Sequence, residues 1–454
     1  MRKNYIWLVG SLVVVMFALT GCGLFSTDEG EGGGEGNPDL TTPGPACTPP
    51  ACAAGEILQC PDGSCPQGCG VVCVAAVPVT DPGLGAAPGT WEEVDTWLIS
   101  AWSNQANPAA VRAGLRASGW LDGHDNWRGA DLDGDLRDEW IVALTDPDIT
   151  KATPWGRMGD LWVVNANGIV YRAYEPGADE VFDKTVPEVT GIIDMTNDGK
   201  PELVINKTSC GANTCYGNYE VISTIRGGFE NIVDAVPPNE DVPDWNVVSV
   251  SYPTAAFNDF ELDGLVELQV HGGAQGSAGA GIHQTYVEFW SWNGTAVTLK
   301  DRFYDPTEFR HHAVYDANRA MENENYEQAI LLYEGAINNG NLITPPGFAD
   351  DDGVSVYAAI SQFAAARLVQ IDLIEGDIGR AGSRASWLER TYPGTAVTNA
   401  TIRLLTEWTG EEGNMATLCE SIEADLAGFD QPFGPLSNEM GYANPSLSAA
   451  DFCP

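Results

Sequence analysis

The spacing of apolar residues divides the chain into segments with different predicted structure. Over residues 91–120 the apolar positions, among them Trp97, Leu98 and Val111, follow a helical period. From residue 131 to about 303 apolar and polar residues alternate with a period of two, and turns such as Asn293-Gly294 separate neighbouring runs. From Phe309 the helical period returns. The pattern predicts one or two helices, then an antiparallel β-domain, then a helical region.

The C-terminal helical region shows a regular arrangement of small and aromatic residues. We predict helices over residues 354–375, 378–392, 397–408 and 414–426, with Pro393-Gly394 as a stop signal. Before them, the spacing resembles that of one tetratricopeptide helix pair at Ala317, Ala320, Tyr326, Ala329, Tyr333 and Ala336. This resemblance implies stacked helix pairs in an α-solenoid-like region.

Three acidic loops recur in the predicted β-domain, at spacings of 63 and then 65 residues, and each runs directly into an apolar strand. Oxygen-bearing side chains fall at loop positions 1, 3, 5 and 9, which lets a tight turn direct several hard oxygens at one cation. The candidate ligands are Asp131, Asp133, Asp135 and Glu139; Asp194, Thr196, Asp198 and Glu202; and Asp259, Glu261, Asp263 and Glu267. We predict structural Ca²⁺ sites at these loops; the alternative is a solvated acidic turn.

The three loops differ in quality. The first has Leu136 at position 6, where a permissive glycine is usual. The second has Thr196 in place of a carboxylate, and the third has the longer Glu261 at position 3. We therefore expect the three sites to bind calcium with different affinities.

The loop-and-strand units resemble the FG-GAP or VCBS repeats of integrin-α-type β-propellers. The resemblance covers roughly residues 125–303 and implies a propeller-like antiparallel domain. Closed propellers have about 4–8 blades, whereas three loops are visible here. The resemblance therefore implies either a partial propeller or a propeller with a degenerate further blade.

The N-terminus carries a signal for export and lipidation. Arg2 and Lys3 precede an apolar run over residues 6–19, which is shorter than the roughly 20 residues that span a bilayer. The following Leu19-Thr20-Gly21-Cys22 resembles a bacterial lipobox, and the resemblance implies cleavage before Cys22 and acylation of its sulfur. We expect a lipid-anchored, extracytoplasmic envelope protein; an ordinary secretory signal is the alternative.

The other ten cysteines fit an oxidising compartment. Six lie close together in a Pro- and Gly-rich stretch and allow 15 disulfide connectivities, which we leave open. A cysteine-based metal site in this stretch is a less favoured alternative, because no histidine lies nearby. The disulfide candidates are Cys47, Cys52, Cys60, Cys65, Cys69, Cys73, Cys210, Cys215, Cys419 and Cys453.

Composition and motif content limit the possible functions. With 64 acidic and 22 basic residues, the net charge of −42 disfavours nucleic acid as a partner. The five histidines lie outside any recognisable catalytic motif, and we predict no enzymatic activity. The Gly-rich run after His271 lacks a lysine, so a mobile β-loop is favoured over a phosphate-binding loop.

The predicted fold is multidomain, with separate β and α regions. Its segments are a signal peptide (1–21), an acidic Gly/Pro linker (22–45), a disulfide-rich module (46–75), a second linker (76–90), a helical lead-in (91–124), the β-repeat domain (125–305), the helical domain (306–428) and a tail (429–454). We expect a calcium-stabilised binding or scaffolding module for proteins or polysaccharides, attached to the membrane through its lipid. The alternative is an extracytoplasmic carbohydrate-active hydrolase or its accessory subunit.

Overall fold

The chain divides into two units, residues 1–77 and 78–454. In the first unit of this computed structural model, β1 (Glu56–Gln59) pairs antiparallel with β2 (Val72–Ala75). The signal segment, Cys22 and the side chains of the cysteine module lie outside the described residues. Besides the backbone of β1 and β2, the structure describes residues 84–121, 127–148, 152–153, 156–174, 185–211, 213–235, 246–345, 356–410, 414–438 and 440–453.

The second unit begins with two helices, α1 (Trp91–Ser103) and α2 (Pro108–Ala117). The chain breaks between them because Asn107 caps α2, with its side chain accepting the Ala109 N–H at 2.9 Å, and Pro108 occupies the first helical position. Both helices bury apolar faces against the first large sheet. The sequence left open one helix or two, and the structure shows two.

Three open antiparallel sheets follow, and the described strands form no closed barrel or propeller. Sheet I contains β3 (Trp127–Ala130), β4 (Glu139–Thr145), β7 (Gly159–Asn165) and β8 (Gly168–Arg172), with a short hairpin of β5 (Ala152–Thr153) and β6 (Gly156–Arg157) beside it. Sheet II contains β9 (Glu188–Ile193), β10 (Glu202–Gly211), β11 (Thr214–Ser223) and β12 (Glu230–Asn231), and β13 (Val248–Ser251) also pairs with β11. Sheet III contains β14 (Thr254–Asn258), β15 (Glu267–Gly272), β16 (Tyr286–Trp292) and β17 (Val297–Tyr304).

The sheets stack through two apolar cores. Ile141 and Leu161 of sheet I meet Leu203 of sheet II in one core. Val204 and Val221, on the opposite face of sheet II, meet residues of sheet III such as Trp290 in the other. Successive side chains along β10 point to opposite faces of sheet II, and both faces lie against an apolar core. This explains the near-continuous apolar run at the start of β10.

In the described residues from 310 to 426 there are six α-helices, which pack in chain order. Five polar or charged side chains of the fifth helix of the unit, including Arg367 and Asp372, are buried, because other helices and the C-terminal tail surround it. Within the described residues, no helix has the length and apolar character needed to cross a bilayer. The six are α3 (Arg310–Glu322), α4 (Tyr326–Asn338), α5 (Val356–Ile374), α6 (Ile378–Thr391), α7 (Ala396–Glu407) and α8 (Asn414–Leu426).

Two disulfides are present among the described cysteines. Cys210 and Cys215 face each other across the β10–β11 hairpin. Cys419 of α8 joins Cys453 and fixes the tail to the helical region. Both bonds connect cysteines that the sequence named as disulfide candidates.

The Gly-rich run after His271, for which we predicted a mobile β-loop, packs closely against neighbouring segments. A Cβ at Gly276 would lie 1.9 Å from the Asn213 carbonyl oxygen, and a Cβ at Gly281 would lie 1.8 Å from that of Met440. The glycines therefore let two neighbouring segments approach the backbone closely. The signal was ambiguous because close packing and mobility both favour glycine.

Candidate cation-binding loops

The three acidic loops occupy equivalent places in the three sheets. Loop 1 (residues 131–139) joins β3 to β4, loop 2 (194–202) joins β9 to β10, and loop 3 (259–267) joins β14 to β15. In chain order, each loop therefore connects the first strand of its sheet to the second strand. The ninth residue of the loop is the first residue of that second strand. The sequence repeat thus corresponds to a structural repeat.

A shared set of hydrogen bonds holds the loops in one conformation. In every loop the position 1 Asp accepts the N–H of position 6, the position 5 Asp accepts the N–H of position 7, and the position 9 Glu accepts the N–H of position 2. The position 9 bonds measure 2.9 Å to Leu132, 2.7 Å to Met195 and 2.7 Å to Phe260. The carboxylates therefore shape the turn before any ion binds.

Positions 4 and 6 have left-handed backbone conformations in all three loops. Position 4 is Gly134, Asn197 and Leu262, and position 6 is Leu136, Gly199 and Gly264 in loops 1, 2 and 3. Leu136 therefore takes the left-handed conformation that a glycine occupies at this position in the other two loops. Loop 1 therefore follows the same left-handed path at position 6 with a leucine as loops 2 and 3 follow with a glycine.

The position 9 glutamates are buried at the start of the second strands. Glu139, Glu202 and Glu267 are each 1% exposed. Burial is the largest cause of the raised pKa of Glu139, with Asp133 and Asp135 adding repulsion, and burial likewise raises the pKa of Glu202. A buried carboxylate close to other carboxylates is stabilised by a cation.

Loop 1 brings three carboxylates together. Oxygens of Asp131, Asp133 and Glu139 lie within 4.8 Å of one another. The fourth predicted ligand, Asp135, accepts the Arg137 N–H at 2.8 Å and contributes to the repulsion at Glu139. Loop 1 thus offers a converging set of negative oxygens with no basic partner in that set.

Loop 3 also brings three carboxylates together, but they come from positions 1, 5 and 9, whereas those of loop 1 come from positions 1, 3 and 9. Oxygens of Asp259, Asp263 and Glu267 lie within 4.8 Å of one another. Glu267 Oε1 is buried and has no hydrogen-bond donor among the described residues. Glu261, the predicted ligand at position 3, forms an ion pair with Lys300 of β17 instead. This hydrogen bond raises the pKa of Lys300.

Loop 2 satisfies its buried glutamate with protein donors. Thr196 Oγ1 and Ser223 Oγ donate to Glu202 Oε1 at 3.1 and 2.9 Å, while the Met195 and Thr196 N–H groups donate to Oε2. Asp194 Oδ1 is buried without a donor, yet within the described part of the chain Asp194, Asp198 and Glu202 form no converging group. Thr196 at position 3 therefore donates a hydrogen bond to Glu202, whereas Asp133 at position 3 of loop 1 belongs to a converging group of carboxylates.

The donor chemistry of loops 1 and 3 fits a hard cation. All converging atoms are carboxylate oxygens, which Ca²⁺ and Mg²⁺ prefer over the nitrogen and sulfur ligands typical of zinc. The orphaned Glu267 Oε1 is the observation that fits a bound ion most directly, since an unpaired buried carboxylate oxygen is costly. Backbone carbonyls and water would complete a calcium shell of 6–8 oxygens.

Other polar clusters lie away from the loops. His271 Nε2 and the Thr285 hydroxyl both contact Asp305, beside a cavity of about 470 Å³ lined by His283 and Phe309, among others. The Thr285 hydroxyl donates to the Asp305 carboxylate, and the Thr307 hydroxyl, which also lines the cavity, lies 2.8 Å from His312 Nδ1. His124 lies outside the described residues.

The partners that distinguish the loops come from distant parts of the chain. Lys300 is 39 residues from Glu261, and Ser223 is 21 residues from Glu202. Local spacing identified the carboxylates but carried no signal for these contacts. No protein-family model matches the chain, and a search of curated proteins gives no match.

Proposed function

We propose that this chain is a lipid-anchored envelope protein whose β-region binds calcium at loops 1 and 3. The observation that carries the calcium proposal is the buried, unpartnered Oε1 of Glu267 beside Asp259 and Asp263. The lipobox-like Cys22 and the preceding apolar run support the anchor. Calcium has a structural role in this proposal, because the carboxylates lie in the turns that connect the strands.

Binding of calcium to the folded state stabilises the fold. Each ion relieves repulsion among three carboxylates, and the ion in loop 3 also provides a partner for the buried Oε1 of Glu267. At a calcium concentration about 100-fold above the dissociation constant, one site adds about 2.7 kcal/mol to the free energy of unfolding. Loop 2 is not included in this proposal, because its carboxylates form no converging group and hydroxyl and amide donors already bind Glu202.

The anchored protein serves as a binding or scaffolding module for proteins or polysaccharides. Support comes from a groove of about 330 Å³ between α4, α5 and α6. Its lining combines Trp387 and Leu368 with Arg384 and Glu334, a mixture of apolar and charged groups suited to a polymeric or peptide ligand. The preceding stalk-like linker, residues 22–45, would hold this body away from the bilayer.

Thermal unfolding with calcium and with a chelator tests the calcium proposal. We expect the melting temperature of the full chain to rise by several degrees in calcium. Asp259→Asn should remove part of the rise, whereas the matched Asp194→Asn in loop 2 should leave it unchanged. An identical melting temperature in calcium and chelator would refute the proposal.

Glycan-array binding and capture of defined envelope proteins test the binding role. We expect saturable binding that Trp387→Ala weakens while the melting temperature is retained. Polysaccharide turnover that a single carboxylate substitution abolishes would instead establish an enzyme.

A further inference from the structure

The tips of loops 1 and 3 carry the most exposed large apolar side chains among the described residues. Leu136 is 91% exposed and Leu262 is 88% exposed, while the next in order, Tyr442, is 64% exposed. Leu136 has φ 68° and Leu262 has φ 59°. Each leucine therefore combines full exposure with a backbone conformation that disfavours a side chain.

The exposed side chains of these leucines do not pack against the rest of the folded protein. In each loop the other left-handed position is a glycine, Gly134 or Gly264, as the backbone prefers. Loop 2 fills both positions with residues that tolerate the conformation, Asn197 and Gly199. Apolar tips and converging carboxylates thus occur in the same two loops and are both missing from loop 2.

The three loops lie at one end of the sheet stack. Lys200 of loop 2 packs over loop 1, where a Cβ at Gly134 would lie 3.0 Å from Lys200 Cε. The Thr224 hydroxyl, in the turn after β11, donates to the Leu132 carbonyl of loop 1, and Arg226 of that turn donates to the Thr295 carbonyl in the turn between β16 and β17. Loop 3 shares the end of sheet III that carries this second turn. Leu136 and Leu262 therefore project from the same end of the molecule.

Loop 3 adds further apolar surface beside its tip. Phe260 is 38% exposed, and its ring packs against Phe289 with centroids 4.9 Å apart. One basic residue also lies at or next to each loop: Arg137, Lys200 and Lys300. The end of the stack thus combines apolar tips, carboxylate clusters and a few cations.

We propose that this end docks on an anionic phospholipid surface when calcium occupies loops 1 and 3. The leucines enter the interfacial layer, while bound calcium and the neighbouring basic residues face the phosphates. Without calcium, the carboxylates repel the same surface, so the charge complementarity depends on the ion. Projecting tips, rather than a recessed groove, suit a fluid lipid interface better than a shaped protein partner. This inference rests on the proposed calcium sites.

Vesicle flotation of the full chain tests the inference. The vesicles contain either phosphatidylcholine alone or equimolar phosphatidylcholine and phosphatidylglycerol, with calcium or with chelator. We expect a calcium-dependent increase in binding to the anionic vesicles only. The apolar residues 6–19 can bind lipid without calcium, and the difference between calcium and chelator removes their contribution.

Substitution of the leucines separates this surface from calcium binding itself. Leu136→Asn and Leu262→Asn suit left-handed backbone, and each should lower the calcium-dependent affinity roughly tenfold. Leu331→Asn is the matched control, since Leu331 is 61% exposed on α4, away from the loops. It should bind vesicles as the wild type does.

Melting temperatures measured on the same proteins distinguish the two proposals. A calcium-dependent rise in every variant, together with loss of vesicle binding only in the loop variants, supports docking. Docking alone is overturned if calcium raises the melting temperature but the protein does not bind anionic vesicles. It is also overturned if both vesicle types are bound equally, or if the leucine variants bind as well as the wild type. Absence of the rise in the wild type overturns the calcium proposal and docking together.

Discussion

The junction between sheet III and the helices should weaken in acid because it depends on two neutral histidines. His311 and His312 of α3 both donate through Nε2 to the Ile282 carbonyl, at 2.8 and 2.9 Å, and Asn444 of the tail donates to the same oxygen at 2.9 Å. The imidazole centroids lie 3.9 Å apart. Protonation of both rings would place two positive charges in contact inside the protein.

Burial and the neighbouring His312 lower the pKa of His311 from 6.5 to about 4. Burial also lowers the pKa of His312, which faces His283 and Arg319, both of which favour its neutral form. Because these values are depressed, the unfolded chain binds protons more readily than the folded chain below pH 6.5. The neutral histidines therefore contribute fully to the free energy of unfolding above about pH 6.5, and this contribution is lost as the pH falls towards 4.

The magnitude follows from the size of the shift. Each pH unit below 6.5 costs about 1.4 kcal/mol for one such histidine, so His311 alone removes about 2 kcal/mol at pH 5. His311→Gln retains an N–H donor for the Ile282 carbonyl and removes the titration. We therefore expect the variant to lose about 2 kcal/mol less than the wild type between pH 7 and pH 5.

Urea unfolding of the full chain at a series of pH values measures this difference. The many carboxylates titrate in both proteins, and their contribution cancels in the comparison. Asn444→Ala removes the third donor and also a hydrogen bond that raises the pKa of His312, so it should lower stability at pH 7 and somewhat more at pH 5, while the titration of His311 remains. Parallel stability curves for the wild type and His311→Gln would refute the assigned role of His311.

Further substitutions test the loops and the disulfides. Glu267→Gln should raise the melting temperature in chelator, because it removes a buried unpaired charge, and should reduce the calcium-dependent rise. Glu202→Gln should leave the calcium-dependent rise unchanged, as measured in the same melts. Leu136→Asn should stabilise the chain by about 1 kcal/mol in urea unfolding, since asparagine tolerates left-handed backbone. Cys419→Ser opens the 34-residue connection to the tail and should cost about 4 kcal/mol in the chain-entropy model, whereas Cys210→Ser, with a separation of 5 residues, should cost about 2 kcal/mol. Equal losses for the two cysteine variants would contradict the loop-length argument.

Local chain chemistry predicted the elements well. The helix expected over 378–392 is observed at Ile378–Thr391, where Pro393-Gly394 ends it as predicted. The hairpin across Asn293-Gly294 is observed between β16 and β17. These features depend on residues within a few positions of one another, so a local pattern contains the information.

Contacts between distant segments were not predictable in the same way. The Ile282 carbonyl receives donors from α3 and from Asn444, which is 162 residues away. Neither the spacing of the histidines nor their flanking residues marks that meeting point. Thr196 already indicated in the sequence that the loops differ as cation sites. The ion pair between Glu261 and Lys300 was not predictable, because it depends on how β17 lies beside loop 3.

Comparison of the three loops separates what the turn requires from what a ligand requires. Loop 2 keeps the shared hydrogen bonds and both left-handed positions, and it binds its buried Glu202 with the hydroxyls of Thr196 and Ser223. The turn can therefore be built without three converging carboxylates or an exposed leucine. Loops 1 and 3 retain both features, although each carries a free-energy cost in the folded chain. Because the turn can be built without those costs, we propose that binding of a cation, and of a surface beside it, accounts for both features.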